Sequence, residues 1–464
     1  MVFLIAAAVF GALAVLIRPG LYHDPDVYWH LAAGDWMVRH LEVLRRDEFS
    51  YTIAGQPWIA QEWLSEVVMS LAYRAGGWAG LTSLFCVVGG LTAWLMARQL
   101  SRSLSGISAV FTLIMGLVSM SSALLARPHI LVVPILVLWT TELLNARAAG
   151  RAPRWWMAGL MVLWANMHGS FVFGFVLLAA FALEALLETW RTPSRVIFSW
   201  GAFGFLSLAA AFATPLGLDG LLHPLHTMSL GGIRAIDEWR SPDFSKVPAF
   251  ELALLTAIVV CLHRGVAVPA VRVALLALLL HMALQHQRHI LILAAVAPLI
   301  LAGPLARALG QSTPPALRNG WKAAAGAAVL VGLLVAGRLA IPLERPLDEY
   351  TPKAAVDHVP RALAARPVFN HYNFGGYLIF RGIRTYIDGR ADLYGSKYFE
   401  NYLKAWTGDP ATIDSILTRN QVDWTITPRD DLMVPQMDRR PGWKRIYADK
   451  QAVVHARIGA PGVP

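Results

Sequence analysis

The chain has 464 residues, of which 56% are hydrophobic and only 15% are charged. Ordinary globular proteins have roughly 45–50% apolar and about 25% charged residues, so this composition excludes a soluble single domain. The formal net charge of +10 would indicate nucleic-acid binding in a soluble protein, but here it depends on which side of a membrane the basic residues lie.

Repeated apolar runs over residues 1–341 predict a polytopic membrane protein with about eleven spans. The first run, 2–17, lacks the basic start and the small-residue cleavage site of a signal peptide, so we expect it to remain as a helix. The ten runs after it cover residues 79–96, 104–125, 130–144, 155–165, 172–187, 196–213, 250–262, 273–284, 290–306 and 323–341. Two of the eleven runs are short for a bilayer.

Basic residues in alternate connections predict the orientation of these spans. Under the positive-inside bias such connections are cytoplasmic, which places the N-terminus inside and both the long loop 18–78 and the tail 342–464 outside. This topology accounts for much of the positive charge and leaves no nucleic-acid partner. The residues are Arg98, Arg102, Arg147, Arg151, Arg154, Arg191, Arg195, Arg264, Arg272, Arg307, Arg318 and Lys322.

The tail after residue 341 has a different composition, in which charged residues, prolines and short β-branched runs replace the long apolar stretches. This pattern predicts a small α/β domain. We expect helices at 394–406 and 411–419 and strands at 366–370, 385–388, 423–427 and 452–455. The predicted fold is therefore an α-helical membrane domain, 1–341, followed by an extracytoplasmic α/β domain, 342–464.

The first loop opens with two carboxylates, Asp24 and Asp26, held two residues apart by Pro25 directly after the first span. Such a pair suits either a general base or the ligation of a divalent cation such as Mg²⁺ or Mn²⁺. The alternative is that one of them caps the helix predicted over 27–39.

Further motifs follow along the chain: Trp29-His30, Gly34-x-Trp36, Phe49-Ser-Tyr-Thr52, Trp58, Glu62-Trp63, Arg127-Pro-His129, Trp164-x-Asn-x-His-Gly169, Pro215-x-Gly217, Glu238-Trp239, Arg288-His289, Asn370 to Tyr377 and Ile387-Asp-Gly-Arg390. Together with Asp24-Pro-Asp26, this ordered set resembles bacterial polytopic proteins of the GT-C glycosyltransferase superfamily, whose relatives transfer sugars from polyprenyl-phosphate donors. The resemblance implies a GT-C membrane core in the bacterial inner membrane, with its active site on the extracytoplasmic face. It also implies an acidic first-loop residue at the catalytic centre and a lipid-linked sugar donor, but it names neither sugar nor acceptor.

Glycosyl transfer from a lipid phosphate needs a base for the acceptor hydroxyl and positive charge for the departing phosphate. The predicted topology places Arg127, His129, His168, Arg288 and His289 at outward-facing span ends, and we predict that they bind the donor phosphate. Ionisable groups at membrane depth are costly and usually functional. In the alternative interpretation the arginines extend to lipid headgroups, His129 and His289 pack internally, and His168 caps a turn.

The predicted substrate-binding residues carry aromatic, amide or charged side chains. Residues 370–377 combine aromatic faces with amides, as sugar-binding surfaces do, and Gly375-Gly376 permits a tight turn. Asp388 with Arg390 fits either an acceptor site or an internal ion-pair turn. Glu238 is a reserve base or metal ligand, or a surface carboxylate. The full set is Trp29, His30, Glu62, Glu238, Asn370, Tyr372, Asp388 and Arg390.

These features predict a membrane glycosyltransferase that acts by single displacement with inversion on a glycan, lipid or protein acceptor. Asp24 or Asp26 serves as the base or metal ligand, and Arg127 and Arg288 receive the lipid phosphate. Apart from the divalent cation, no cofactor is expected. No nucleotide-binding signature follows a strand, so the sequence does not support a nucleotide-sugar donor bound on the cytoplasmic side. The alternatives are an oligosaccharide ligase or polymerase, a transporter or flippase, and a non-catalytic assembly subunit.

Overall fold

The computed structural model describes residues 1–189, 193–228, 237–246, 248–312, 320–345 and 348–463. The chain divides into two compact units. The membrane unit comprises Met1–Leu21, Arg74–Pro224 and Arg234–Leu343, and the mixed unit comprises Tyr22–Tyr73, Leu225–Ile233 and Glu344–Pro464. Residues 22–73 of the first loop thus fold together with the C-terminal tail.

Every predicted apolar run lies in helical structure, because each run provides enough apolar side chains to cover a buried or lipid-facing helix. Within the described ranges, seven helices are long and apolar enough to cross a membrane, and three more apolar helices are shorter. The helices before the tail are α1 (Val2–Leu16), α2 (Asp26–His40), α3 (Trp63–Leu100), α4 (Gly106–Met120), α5 (Pro128–Leu131), α6 (Val133–Ala148), α7 (Ala158–Met167), α8 (Phe171–Glu188), α9 (Pro193–Ala211), α10 (Gly217–Met228), α11 (Ala249–His263), α12 (Ala270–Gln285), α13 (Ile290–Ala308) and α14 (Gly320–Ala340).

Small residues allow close helix packing in the membrane unit. Gly11 of α1 lies directly against the backbone of Gly89 in α3, and a Cβ at Gly89 would stand 2.8 Å from the Gly11 carbonyl oxygen. Close backbone approach at glycine is typical of helix pairs in lipid, where packing takes the place of the hydrophobic effect. Helix α3 itself is interrupted at Gly76 and Gly77, whose backbone angles are not helical. This break separates residues 63–75 of α3 from residues 78–100.

The mixed unit contains a four-stranded sheet in the order β1-β2-β4-β3, in which β1 runs parallel to β2 and the other neighbours are antiparallel. Phe369 pairs with Thr425 across β1 and β2, and Thr427 pairs with Val453 across β2 and β4. Its elements are α15 (Lys353–His358), α16 (Arg361–Ala364), β1 (Val368–Asn370), α17 (Tyr372–Phe380), α18 (Ala391–Tyr394), α19 (Ser396–Trp406), α20 (Pro410–Arg419), β2 (Trp424–Pro428), α21 (Met433–Asp438), β3 (Trp443–Ala448) and β4 (Ala452–Arg457).

Two local predictions are wrong, and two elements were not predicted. Residues 385–388 form no strand; only Thr385 makes a single bridge, to Ser50 of the first loop. Gly375 and Gly376 form no tight turn, because both lie inside α17. The two unpredicted elements are strand β3 and helix α10, which contains Pro224. Two basic residues of the predicted cytoplasmic connections, Arg191 and Arg318, lie outside the described residues, as does part of the loop that precedes Glu238.

Candidate active site

The Asp24-Pro25-Asp26 motif forms the N-terminal end of α2 in the mixed unit. Asp24 is buried, and its Oδ1 accepts a 2.7 Å hydrogen bond from the backbone N–H of Asp26. Asp26 is the first residue of α2 and remains partly exposed. Asp24 therefore has the capping contact that the alternative interpretation anticipated, whereas Asp26 is a partly buried residue in the first helical turn.

Arg345, which sequence reasoning missed, fixes the backbone of the Asp24-Pro25-Asp26 motif. The Arg345 guanidinium donates from Nη2 to the carbonyl oxygens of Tyr22 (2.6 Å) and Asp24 (3.3 Å) and packs 4.1 Å above the ring centroid of Tyr28. Burial raises the pKa of the Tyr28 phenol to about 12, so this hydroxyl stays protonated and shares a 2.9 Å hydrogen bond with Thr351. No local signal in the sequence links Arg345 to this motif, because Tyr22 and Asp24 lie more than 300 positions away; its other partner, Asp348, is local.

Trp29 and His30 lie inside the mixed unit. The His30 Nδ1 is 3.0 Å from Glu66 Oε1, its Nε2 is 3.8 Å from Glu62 Oε2, and its ring centroid is 3.7 Å from that of Trp29. Both residues are more than nine-tenths buried, so packing and the glutamates account for their positions. Glu66 was missed, although it follows Glu62 by four residues and therefore shares its helix face.

The residues near Asp26 offer limited support for the expected metal ion. Among the described residues, no group of three or more His, Cys, Asp or Glu side chains is arranged to hold one. The expectation of Mg²⁺ or Mn²⁺ thus rests on the Asp24 and Asp26 pair, with Glu238 as the reserve ligand.

Asp388 and Arg390 form an ion pair in the interior of the mixed unit. Arg390 donates from Nε and Nη2 to the two carboxylate oxygens of Asp388, at 2.8 and 2.7 Å, and from Nη1 to Asp47 at 2.7 Å. All three side chains are 0% exposed. Burial acts to raise the pKa of Asp388, but the charge and hydrogen bonds of Arg390 outweigh it and hold the pKa below its ordinary value. Of the two alternatives for this motif, the structure contains the internal ion-pair turn.

Asn370 and Tyr372 also make internal contacts. The buried Asn370 amide donates to the carbonyls of His371 and Ile387, and its oxygen accepts from the backbone N–H of Tyr386 at 2.9 Å. The Tyr372 hydroxyl donates to the carbonyl of Gly389 at 3.2 Å. These bonds tie the residues around β1 to residues 386–389, and they use the amide that the sequence had assigned to a sugar.

In the membrane unit, two arginines from distant parts of the chain meet on one carboxylate. Arg127 Nη1 pairs with Glu238 Oε2, and Arg288 Nη1 lies 3.1 Å from Glu238 Oε1. The Arg288 guanidinium also lies 4.4 Å from the ring centroid of Trp239. The exposed fractions are 15% for the Arg127 side chain and 29% for those of Arg288 and Glu238, so solvent and small solutes reach this cluster.

The predicted histidines make backbone contacts; the His129 and His168 rings lie 6.1 Å apart, and the His289 ring lies 6.3 Å from that of Trp239. His129 Nε2 is 3.1 Å from the carbonyl of Ala123, and His289 Nδ1 is 3.4 Å from that of Met282. His168 ends α7 and accepts at Nδ1 from the backbone N–H of Ser170, at 3.0 Å. These contacts match the packing and capping alternatives for the three histidines.

The sequence matches no known protein-family profile and no curated protein. The structure, however, resembles solved membrane enzymes. It aligns with the Archaeoglobus fulgidus oligosaccharyltransferase in its apo form (TM-score 0.57, 11% identity), and with the same enzyme tethered to an acceptor peptide that contains the NVT sequon (TM-score 0.53, 10% identity). Each alignment covers 92% of this chain and 69% of that enzyme.

The chain has a GT-C-like fold. The predicted helical fold with a small C-terminal sheet is thereby confirmed, but the predicted count of about eleven spans is not, and the chain is a multi-pass membrane protein. A third alignment, with ArnT from Cupriavidus metallidurans bound to undecaprenyl phosphate, covers 100% of this chain and 99% of ArnT at 13% identity. Its TM-score of 0.37 carries no argument here. At such identities the likeness establishes the fold, and function must be argued from the site residues.

Proposed function

We propose that this chain is a membrane glycosyltransferase that moves a sugar from a polyprenyl-phosphate-linked donor to an acceptor outside the cytoplasm. The observation that carries the proposal is the convergence of Arg127 and Arg288 on Glu238. The GT-C-like fold supports it, because an oligosaccharyltransferase has a similar fold.

The arginine cluster has the chemistry that a lipid phosphate requires. Two guanidinium groups lie beside one carboxylate, and both arginines lie at the start of helical segments long enough to span a membrane, Pro128–Ala148 and Gln287–Ala308. Backbone N–H groups at helix starts add partial positive charge. The planar guanidinium matches phosphate oxygens in pairs and stays protonated near lipid. Glu238 holds the two arginines together until a phosphate competes for them.

Asp26 is the better candidate for the base. Asp26 is a partly exposed residue, whereas Asp24 is buried and so less accessible to an acceptor. In the proposed reaction the acceptor hydroxyl oxygen attacks the anomeric carbon, and its proton passes to the Asp26 carboxylate. The bond between the anomeric carbon and the phosphate oxygen breaks, and the lipid phosphate leaves with the electron pair, its charge balanced by Arg127 and Arg288.

The test measures the transfer rate against the concentration of polyprenyl-phosphate-linked sugar. Arg127→Lys and Arg288→Lys each keep the positive charge but lose the planar guanidinium that can donate two parallel hydrogen bonds. The kcat/KM for the donor should therefore fall about 10–100-fold, the equivalent of one charge-assisted hydrogen bond. Arg264→Lys, an exposed arginine after α11, is the matched control and should leave the rate unchanged. Unchanged donor dependence in both cluster variants would remove the cluster from the reaction and overturn the proposal.

A further inference from the structure

Three glycines of the tail lie in close contact with two motifs. One is Asp24-Pro25-Asp26, which carries the proposed base, and the other contains Asp388 of the buried ion pair. A Cβ placed on Gly376 would collide with the carbonyl oxygen of Pro25, between the two aspartates. A Cβ on Gly389 would collide with Asp26 Oδ1 and stand 2.9 Å from Trp29 Nε1. A Cβ on Gly375 would lie 2.6 Å from the Cα of Asp388.

These positions require the absence of a side chain, not the backbone freedom of glycine. Gly375 and Gly376 are helical, and Gly389 does not have a φ in the left-handed region. Alanine would therefore meet no backbone strain at residue 389. Its single extra methyl group would act only on what it touches, namely the Asp26 carboxylate and the Trp29 indole.

The turn that carries Gly389 is held firmly on both sides. Asp388 and Arg390 flank it and are joined to each other by two side-chain hydrogen bonds, with Arg390 also bound to Asp47. The Tyr372 hydroxyl binds the carbonyl of Gly389 itself. Burying these charges costs desolvation free energy. The resulting network fixes the geometry of the turn that contains Gly389.

We propose that Gly389 is a positioning residue that sets the orientation of the Asp26 carboxylate, and that the Asp388–Arg390–Asp47 network keeps Gly389 in place. The inference rests on the proposed role of Asp26 as the base. A general base must meet the proton it removes at hydrogen-bond distance, and a displacement of about 1 Å can cost about 10²-fold in rate. The network thus acts on the chemistry through the turn, without contacting the substrate.

The test is the Gly389→Ala variant of the full chain, purified in detergent. We expect kcat to fall about 10–100-fold, with the KM values for donor and acceptor changed less than about threefold and the thermal midpoint nearly that of the wild type. Gly332→Ala in α14, where a Cβ meets nothing within 4 Å, is the matched control and should behave as the wild type.

A double-mutant cycle separates positioning from general damage. If Gly389 acts through Asp26, the Asp26→Asn, Gly389→Ala double variant should be no slower than Asp26→Asn alone. Multiplied losses in the double variant would overturn the inference, as would wild-type kcat in Gly389→Ala beside an impaired Asp26→Asn. A fully active Asp26→Asn would instead refute the proposed base, whatever Gly389→Ala does.

A milder variant covers the case in which Gly389→Ala does not fold. Tyr372→Phe removes only the hydroxyl that binds the Gly389 carbonyl. It should lower kcat by about 3–10-fold, the equivalent of one hydrogen bond, with unchanged KM values and no further loss when combined with Asp26→Asn. Wild-type kcat in Tyr372→Phe would overturn the inference on its own.

Discussion

Replacing Arg390 by methionine should destabilise the mixed unit by about 3 kcal/mol. Arg390 contacts both Asp388 and Asp47 with all three side chains fully buried, and removing one partner of such a network typically costs about 3–5 kcal/mol. The lower figure applies because Asp388 keeps hydrogen bonds from Thr385 and Tyr394, at 3.1 and 2.7 Å. At roughly 2–4 °C per kcal/mol for a unit of this size, the thermal midpoint should fall roughly 6–12 °C.

The destabilisation should also depend on pH. In the wild type, Arg390 holds the pKa of Asp388 below its ordinary value, so this carboxylate stabilises the fold above its unfolded pKa of 3.8, an effect lost as pH falls through the folded pKa. Without Arg390, burial alone raises the pKa of Asp388, and the folded state then binds a proton that the unfolded state has released. The deficit of Arg390→Met should therefore shrink as pH falls from 8 towards 5.

Thermal unfolding of the full chain in detergent, followed by intrinsic fluorescence at several pH values, measures both effects. The matched control is Arg445→Met on β3, whose side chain is 44% exposed and pairs with Asp438. An exposed pair contributes about 1 kcal/mol or less, so this control should shift the midpoint little. If Arg390→Met unfolds like Arg445→Met, or if its deficit does not shrink on acidification, the reasoning about the buried network is refuted.

Three further predictions concern the base, acid stability and orientation. Asp26→Asn should lower turnover about 10²-fold while the protein stays folded, as measured by transfer assay and thermal midpoint. Burial lowers the pKa of His371 to about 3, so this side chain stays neutral in the folded state, whereas the unfolded chain gains a proton below pH 6.5. The free energy of unfolding should therefore fall as the pH falls from 6.5 to 3. His371→Asn keeps a capping side chain for α17 and should flatten that fall in unfolding experiments. Cysteines at Gln56 and Ser396 should react with an impermeant reagent in intact cells, whereas labelling at Ala149 instead would reverse the predicted topology.

The sequence predicts the helices well because their signal is local. Each apolar run is a property of about 20 neighbouring residues, and α2 follows from the segment after Pro25. The failures occur where distant contacts decide. Gly375 and Gly376 are typical of a turn locally, but they are helical glycines that allow α17 to approach Pro25 and Asp388. Strand β3 carries two adjacent charged residues, Lys444 and Arg445, on a sheet edge, which weakens its apolar pattern.

The candidate site shows the same limit. The sequence identifies Arg127, Glu238 and Arg288 as separate candidates, because ionisable residues at span ends are conspicuous. It does not indicate that both arginines meet on one carboxylate, since their partner lies 111 and 50 positions away along the chain. Arg345 was missed for the same reason.

The most direct test of the central claim is a structure of the full chain with a bound polyprenyl phosphate, determined in detergent or lipid nanodiscs. The proposal predicts density for the phosphate within hydrogen-bond distance of the guanidinium groups of Arg127 and Arg288, with at least one of their contacts to Glu238 replaced. A headgroup bound elsewhere, with both arginines still paired to Glu238, would contradict the assignment of this cluster to the donor phosphate.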